Sequence, residues 1–329
     1  MRILVTMPDT ELRADFFPPR LRDRLDALGS VAYNDRDRDL TESELAERVD
    51  GVNVLVTGWG SPQVTADVLA AAADLDLIAH TGGSVANVAS EAVYDAGIRV
   101  VSANDVMADH TAEHALTALL SHLRAVPTFD ATMHRGEWAD GETSVRTLHG
   151  KSVGLVGLGT IGRKLLEHFR PFDVDVAVYD PYVEVGALAE YPFADLVDLD
   201  AALDSEVVSV HAARTPETVG MLGADELAQI PDGAVFVNTA RAEIVVEDAL
   251  LVELRSGRIS GVFDVYHEEP LPADHELRDM ENVLLTPHVG GSQIRPPLTE
   301  SVIEDVERFA TGEEPEHAIP REQWATMTQ

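Results

Sequence analysis

Short apolar runs alternate with helix-like stretches along the whole chain, and that rhythm constrains the fold more than any other feature. Near the N-terminus the runs are "RILVTM", "NVLVT", "LDLIAH" and "IRVVS", with "FFPPRLRDRLDALG", "TESELAERV" and "TADVLAAAA" between them. A second series begins at "SVGLVGLG" and continues through "DVAVYD", "VVSVHAA", "AVFVNTA", "ISGVFDV" and "NVLLTPH". Strand–helix–strand repetition of this kind implies parallel sheets covered on both faces. The 329 residues leave room for two domains. Between the two series Ala112, Leu116, Leu119, Leu120 and Leu123 recur on one helical face, and the polar "RGEWADGETSVRTLHGKS" then reads as a loop. The last segment, "PPLTESVIEDVERFATGEE", is a capped helix by pattern. The expected organisation is two α/β domains, residues 1–103 with 291–329 and residues 104–290, with a cleft between them.

Composition narrows the function classes. At 45% hydrophobic and 5% aromatic, the core is built mostly from Val, Leu, Ile and Ala. There is no cysteine, which excludes disulfides, thiolate metal sites and a cysteine nucleophile. No apolar run approaches the roughly 18 residues of a membrane span, and "RILVTM" is too short for a secretory signal. A cytoplasmic protein with no membrane partner is expected. Acidic residues number 58 against 24 basic, a net charge of −34, and only Lys151 and Lys164 are lysines. The carboxylates are spread over the whole chain, so an acidic tail does not account for them. We read them as the surface of a halophilic protein, since near 1 M salt the Debye length falls to about 3 Å and self-repulsion is screened. The same charge argues against binding a nucleic-acid backbone.

"GLVGLGTIG" places Gly157, Gly159 and Gly162 in a GxGxxG pattern that follows a predicted strand and opens the helical stretch "RKLLEHF". Eighteen residues beyond Gly162 the next strand ends on Asp180. This is the context a dinucleotide site requires: glycines admit the pyrophosphate to the backbone, and helix N-terminal amides, here from Thr160 and Ile161 onward, hold it. Asp180 suits the adenosine ribose hydroxyls. It repels a 2′-phosphate and no arginine follows it, so NAD is expected over NADP.

Three strands of the second series run into polar residues. "AVFVNTA" leads to Arg241, "ISGVFDV" carries Asp264 and is followed by Glu269, and "NVLLTPH" stops on His288 behind a proline. A proline cannot donate to a central ladder, so that strand ends there. In a parallel sheet the carboxyl ends of the strands share one edge, where ligands bind. Each residue alone reads equally well as a surface ion pair or a loop side chain; together they point to one site.

These segments resemble the D-isomer-specific 2-hydroxyacid dehydrogenases over nearly the whole chain. "GKSVGLVGLGTIGRKL" looks like the family's cofactor signature, "FVNTARAEIVVEDALLVELRSGRISGVFDVYHEEPLP" like its second signature, and "NVLLTPHVGGSQ" like its histidine segment. The resemblance implies a Rossmann-type NAD domain plus a smaller flavodoxin-like substrate domain, each a doubly wound parallel sheet. It implies an NAD-dependent enzyme interconverting a small 2-oxo acid and its D-2-hydroxy acid, and a homodimer. Arg241, Glu269 and His288 match the catalytic positions. Asp264, Thr239, Ala240, Gly290 and Gly291 match positions around the cofactor, and "VHAARTPETVG" adds His211, Ala213 and Thr218. "IAHTGGSVANV" is similar to the loop whose amides hold the substrate carboxylate, through Gly82 and Gly83; Ala86 stands where the family carries aspartate, and Ala242 where glycine is usual.

The residue types suit the reaction. Hydride arrival puts negative charge on the carbonyl oxygen, which an imidazolium at His288 can protonate. Arg241 can hold the substrate carboxylate as a planar fork and polarise the carbonyl. The stretch Thr57, Gly58, Trp59, Gly60 lacks the arginine that phosphoglycerate-using relatives carry, and no regulatory domain is appended, so 3-phosphoglycerate is not the expected substrate. Trp59 reads either as a substrate contact or as a core residue. No metal is expected: "DHTAEH" has two histidines four apart, but Glu113 precedes the second histidine rather than following the first. The rival reading is an NAD(H)-sensing corepressor with little turnover, similar to the C-terminal-binding proteins, which keep the same three residues.

Overall fold

Each of the apolar runs becomes a strand, and every pairing between neighbouring strands is parallel. The structure, a computed structural model, describes residues 1–138, 141 and 143–327. Ala139, Asp140 and Glu142, in the expected connecting loop, lie outside the described residues. The chain forms two compact units, Met1–Ala108 with Ser292–Gln329, and Asp109–Gly291, so that it passes from one to the other inside the helix Asn104–Leu123. No described helix is long and apolar enough to cross a membrane.

The first unit holds β1 (Arg2–Val5), β2 (Ser30–Tyr33), β3 (Val54–Thr57), β4 (Leu77–His80) and β5 (Arg99–Ser102), in the order β2-β1-β3-β4-β5. This is the flavodoxin-like order. Side chains of a strand alternate between faces, and the core divides accordingly. Ile3, Val5, Val54, Val56, Leu77 and Ala79 pack with Phe16, Phe17, Leu21 and Leu25 on one face, where Leu298, Val302, Ile303 and Val306 of the helix Arg295–Thr311 join them. Leu4, Leu55, Ile78 and Val100 pack on the other with Leu45, Val49, Val68 and Val93. The helix Glu42–Arg48 starts on a capping box: Thr41 accepts from the Glu44 amide, and the Glu44 carboxylate accepts from the Thr41 amide at 2.9 Å.

The outer side of β5 is covered by the C-terminal segment. Val101 and Ala318 form an antiparallel bridge, with Ile319 N donating to Val100 O at 2.8 Å and Ser102 N to His317 O at 3.3 Å. Asp305, fully buried, holds this segment by accepting from the amides of Glu316 and His317 at 2.6 and 3.2 Å.

The second unit holds β6 (Ser152–Val156), β7 (Asp175–Tyr179), β8 (Ala194–Leu196), β9 (Val207–Val210), β10 (Val235–Asn238), β11 (Ser260–Phe263) and β12 (Val283–Leu285), in the order β12-β11-β10-β9-β6-β7-β8. The sequence order reverses between β6 and β9, the switch point where a doubly wound sheet opens a crevice. Val153, Leu155, Leu165, Leu166 and Phe169 pack on one face with Ala112, Leu119 and Leu123; Val156, Val208, Val210, Phe236 and Leu254 fill the other. Phe169 and Phe236 are among the largest fully buried side chains, and truncating either to alanine is worth about 3–5 kcal/mol.

Candidate active site

The glycine loop fills the switch point. Gly157 follows β6 with φ +97°, and its amide donates to Tyr179 O at 2.8 Å. A side chain there would put Cβ 2.5 Å from Ala212 N, so glycine is required both by backbone angle and by space. At Gly162 a Cβ would lie 2.6 Å from Gly157 O, which is how closely the helix Thr160–Phe169 rides on the loop. A Cβ on Gly159, the residue before that helix, meets nothing within 4 Å, so the helix N-terminus at Thr160 and Ile161 is open to approach. Asp180 stands beside this loop: one carboxylate oxygen accepts from Leu158 N at 2.8 Å and the other from Tyr182 N at 2.9 Å.

The neighbouring strand ends supply the rest of the crevice. His211 is buried; its Nε2 meets Ser209 Oγ at 2.8 Å, and burial pushes its pKa down to about 4. Its Nδ1 and the hydroxyl of Thr239 are buried without a hydrogen-bond partner among the described residues. Ala240 is buried. Thr218 Oγ1 is used internally, donating to Ala213 O at 2.6 Å and accepting from Thr215 N at 2.8 Å, and so folds the loop after β9. A positive-φ glycine turn, an open helix N-terminus, a carboxylate at the end of the second strand and two orphaned polar atoms fit a dinucleotide.

Two of the three polar strand ends touch, and the third feels the charge of Glu269. Asn238, the last residue of β10, ties the turn that follows, its side chain accepting from Ala240 N and donating to Arg241 O, both at 3.0 Å. Arg241 donates to Ala240 O at 2.6 Å. Burial lowers its guanidinium pKa from the ordinary value and Arg214 pushes the same way, while the Glu243 and Glu269 carboxylates oppose them. Arg214 is itself paired with Glu243 at 2.6 Å. Glu269 accepts from Tyr266 N at 3.0 Å through one oxygen and faces His288 Nδ1 at 2.8 Å through the other. The pair is part-exposed, at 37% for Glu269 and 44% for His288, so both side chains stay within reach of a ligand. His288 has φ +53°, which for a residue with a Cβ costs about 1–2 kcal/mol and must be held in place by its surroundings.

Asp264 does that holding. It is 1% exposed, and it accepts from Thr286 Oγ1 at 2.6 Å, Val289 N at 3.0 Å and Gly290 N at 2.8 Å. Burial alone would raise its pKa; the hydrogen bonds from His114, Thr286 and the two amides outweigh burial and lower it. Gly291 closes the segment and the unit. Sequence reasoning gave Asp264 to the cofactor's surroundings and missed its grip on the histidine segment. It also missed His114 and Thr286 as supports, because nothing local marks contacts between residues so far apart in the chain, and Tyr266, whose backbone amide holds Glu269 whatever its side chain.

In the first unit Gly82 and Gly83 follow β4. A Cβ on Gly82 would meet His80 Nε2 at 2.5 Å, and one on Gly83 would meet Met107 Sδ at 2.9 Å. Trp59 packs edge-on against Phe16 with centroids 5.1 Å apart, joining that unit's core cluster. Ala86 is buried, its carbonyl accepting from Gln63 Nε2 at 3.2 Å; Ala242, also buried, opens a short 3-10 turn after Arg241.

Residues 116–290 match the family model for the D-isomer specific 2-hydroxyacid dehydrogenase NAD binding domain. The chain belongs to this family. Like other D-isomer specific 2-hydroxyacid dehydrogenase sequences, it aligns with relatives along most of its length. It is 32% identical over 316 residues to the D-3-phosphoglycerate dehydrogenase of Archaeoglobus fulgidus, covering 95% of this chain and 58% of the relative. The chain thus spans little more than half the length of that relative. YoaD of Bacillus subtilis, named as a 2-hydroxyacid dehydrogenase, is 32% identical over 305 residues, 89% of this chain and 85% of its own. The crystal structure of TT0316 protein from Thermus thermophilus superposes with a TM-score of 0.79 at 30% identity, covering 97% of this chain and all of that one. The second unit is thereby the nicotinamide-dinucleotide domain of a family member.

Proposed function

We propose that this chain is an NAD-dependent D-2-hydroxyacid dehydrogenase that reduces a small 2-oxo acid. One observation carries the reading: the 2.8 Å pair of Glu269 and His288 stands where Arg241 feels the same glutamate, at the ends of three adjacent parallel strands. A nicotinamide dinucleotide held at the glycine loop would supply the hydride for the carbonyl carbon. The carbonyl π electrons move to oxygen, and that oxygen takes the proton from His288, delivered from the ring nitrogen opposite the Glu269 contact. Glu269 orients the ring and balances the imidazolium charge. Arg241 holds the substrate carboxylate and polarises the carbonyl. The amides of Gly82 and Gly83 are further carboxylate donors in this reading.

The cofactor is held by Gly157, Gly159, Gly162 and the first amides of the helix, with Asp180 on the ribose. The Asp180 carboxylate supports NAD over NADP. The stretch Thr57 to Gly60 offers no cation for a phosphate, which supports a substrate other than 3-phosphoglycerate. The net charge of −34 supports a protein that works at high salt; a cytoplasmic homodimer belongs to the same reading on the family resemblance alone.

NADH oxidation against glyoxylate, hydroxypyruvate, pyruvate and longer 2-oxo acids tests the proposal, run in parallel in molar salt and in salt-free buffer. Turnover of at least one acid, strongest in salt, is expected. Binding of NADH with turnover of none favours the corepressor-like reading, and full stability without salt removes the halophilic one.

A further inference from the structure

His114 lies on the helix Asn104–Leu123, the helix whose two histidines four apart invited a metal reading. In the structure its Nε2 is 3.1 Å from Thr286 Oγ1 and, more distantly, 3.6 Å from Asp264 Oδ1, and the Thr286 hydroxyl is 2.6 Å from that same Oδ1. A hydroxyl has one proton to give, and an ionised carboxylate only accepts. Thr286 therefore donates to Asp264 and accepts from His114, which fixes the proton of the imidazole on Nε2. The same carboxylate collects the amides of Val289 and Gly290, so both flanks of His288 are gathered on one buried acid. The packing is close: a Cβ on Gly290 would lie 3.0 Å from Asp264 Oδ2 and 3.3 Å from His114 Cδ2.

The hydroxyl of Thr286 has a competing acceptor. Phe263 O lies 3.5 Å away, and turning to it would take the hydroxyl from Asp264 Oδ1 and leave that oxygen to the Val289 amide. A donor at His114 opposes that turn, because a hydroxyl that accepts a hydrogen bond becomes a better donor along the same chain.

We propose that His114 is a positioning residue for the reductase. Its Nε2–H, relayed through Thr286 and Asp264, fixes residues 286–290 so that the His288 imidazole stays on Glu269. The role rests on the reading of His288 as the acid/base group.

The test uses the full chain as wild type, His114→Gln, which keeps an N–H donor, and His114→Leu, which does not. Two measurements need no turnover. The histidine-ring 15N spectrum of the wild type should show the His114 proton on Nε2. Amide hydrogen exchange at Val289 and Gly290 should quicken about tenfold in His114→Leu, the loss of roughly one hydrogen bond, and stay near wild type in His114→Gln. In turnover, kcat should fall about tenfold in His114→Leu with KM nearly unchanged, and His114→Gln should recover most of it. A proton on Nδ1 and a bare Nε2, unchanged exchange or kcat in His114→Leu, or a His114→Gln protein as impaired as His114→Leu each overturns the proposal. If His114→Leu does not fold, the wild-type ring spectrum and the glutamine variant still decide. If the wild type turns over no 2-oxo acid, the functional reading fails, while the exchange result still decides the tether.

Discussion

His80 closes β4 of the first sheet and His288 follows β12 of the second, so both stand at the carboxyl edge of a parallel sheet. Their surroundings differ in every other respect. His80 is 3% exposed, its Nδ1 meets Thr57 Oγ1 at 3.0 Å, and burial pushes its pKa down to about 4. His288 is part-exposed, faces a carboxylate and has a left-handed backbone held by Asp264. Strand-end placement thus makes a histidine available; a charged partner and access to a ligand make it chemical. An imidazole among apolar atoms is kept neutral and serves as a hydrogen-bonding filler.

The largest expected effect separates the two on activity. His288→Ala should lower kcat by about 10²–10⁴-fold, the usual share of a general acid, with little change in the thermal midpoint. His80→Asn should instead lower the midpoint while kcat of the remaining folded protein stays within a few-fold. Steady-state kinetics and calorimetry on both variants check this, and equal losses of kcat would erase the contrast.

The next effect is on stability against pH. His80, His122 and His211 are each pushed down to about 4 by burial, with Arg146 adding to the effect at His122. Between that value and the unfolded value near 6.5 the unfolded chain binds the extra protons. Stability is therefore fully present above about pH 6.5 and falls as the pH drops towards 4, by up to about 3 kcal/mol for each group. Unfolding at pH 7 and at pH 5 should show the loss, and His80→Asn should shallow the slope by about a third. A slope that is unchanged would place the proton uptake elsewhere.

The smallest effect concerns two aspartates after strands of one sheet. Asp180 keeps its carboxylate at the glycine loop, whereas Asp264 spends its own inside the protein. Asp180→Ala should weaken NADH binding and narrow the preference over NADPH by about tenfold, with the midpoint nearly unmoved. Fluorescence titration with both dinucleotides measures it. A preference that survives intact would remove Asp180 from the discrimination.

Most of the architecture was legible because parallel sheets bury their central strands on both faces, leaving apolar runs that stand out. Two strands were not anticipated: β2 (Ser30–Tyr33) and β8 (Ala194–Leu196), each at the outside of its sheet. β2 alternates exposed and half-buried residues, and β8 has three residues with Asp195 exposed, so neither carries the signal of a core strand. Arg241, Glu269 and His288 were legible because each ends or follows an apolar run, even though β12, before His288, proves to be a half-buried strand at the outside of its sheet, and topology alone brings such ends to one edge. His114 and Thr286 were not, because 172 residues separate them. His114 lies four residues from His110, a local spacing weighed only for a metal and set aside, and it gives no sign of the distant partner.

The helix Arg295–Thr311 lends Leu298, Val302, Ile303 and Val306 to the face of a sheet whose strands all come from the first 102 residues. A ribosome therefore exposes β1 to β5 long before it makes the last side chains that cover one of their faces. The nucleotide-binding half, contiguous from 109 to 291, can settle while that earlier sheet still lacks part of the cover on one apolar face, where Phe16, Phe17, Leu21 and Leu25 are already in place. Until residue 306 has been made, the first sheet cannot finish its packing, although every one of its strands has long been complete.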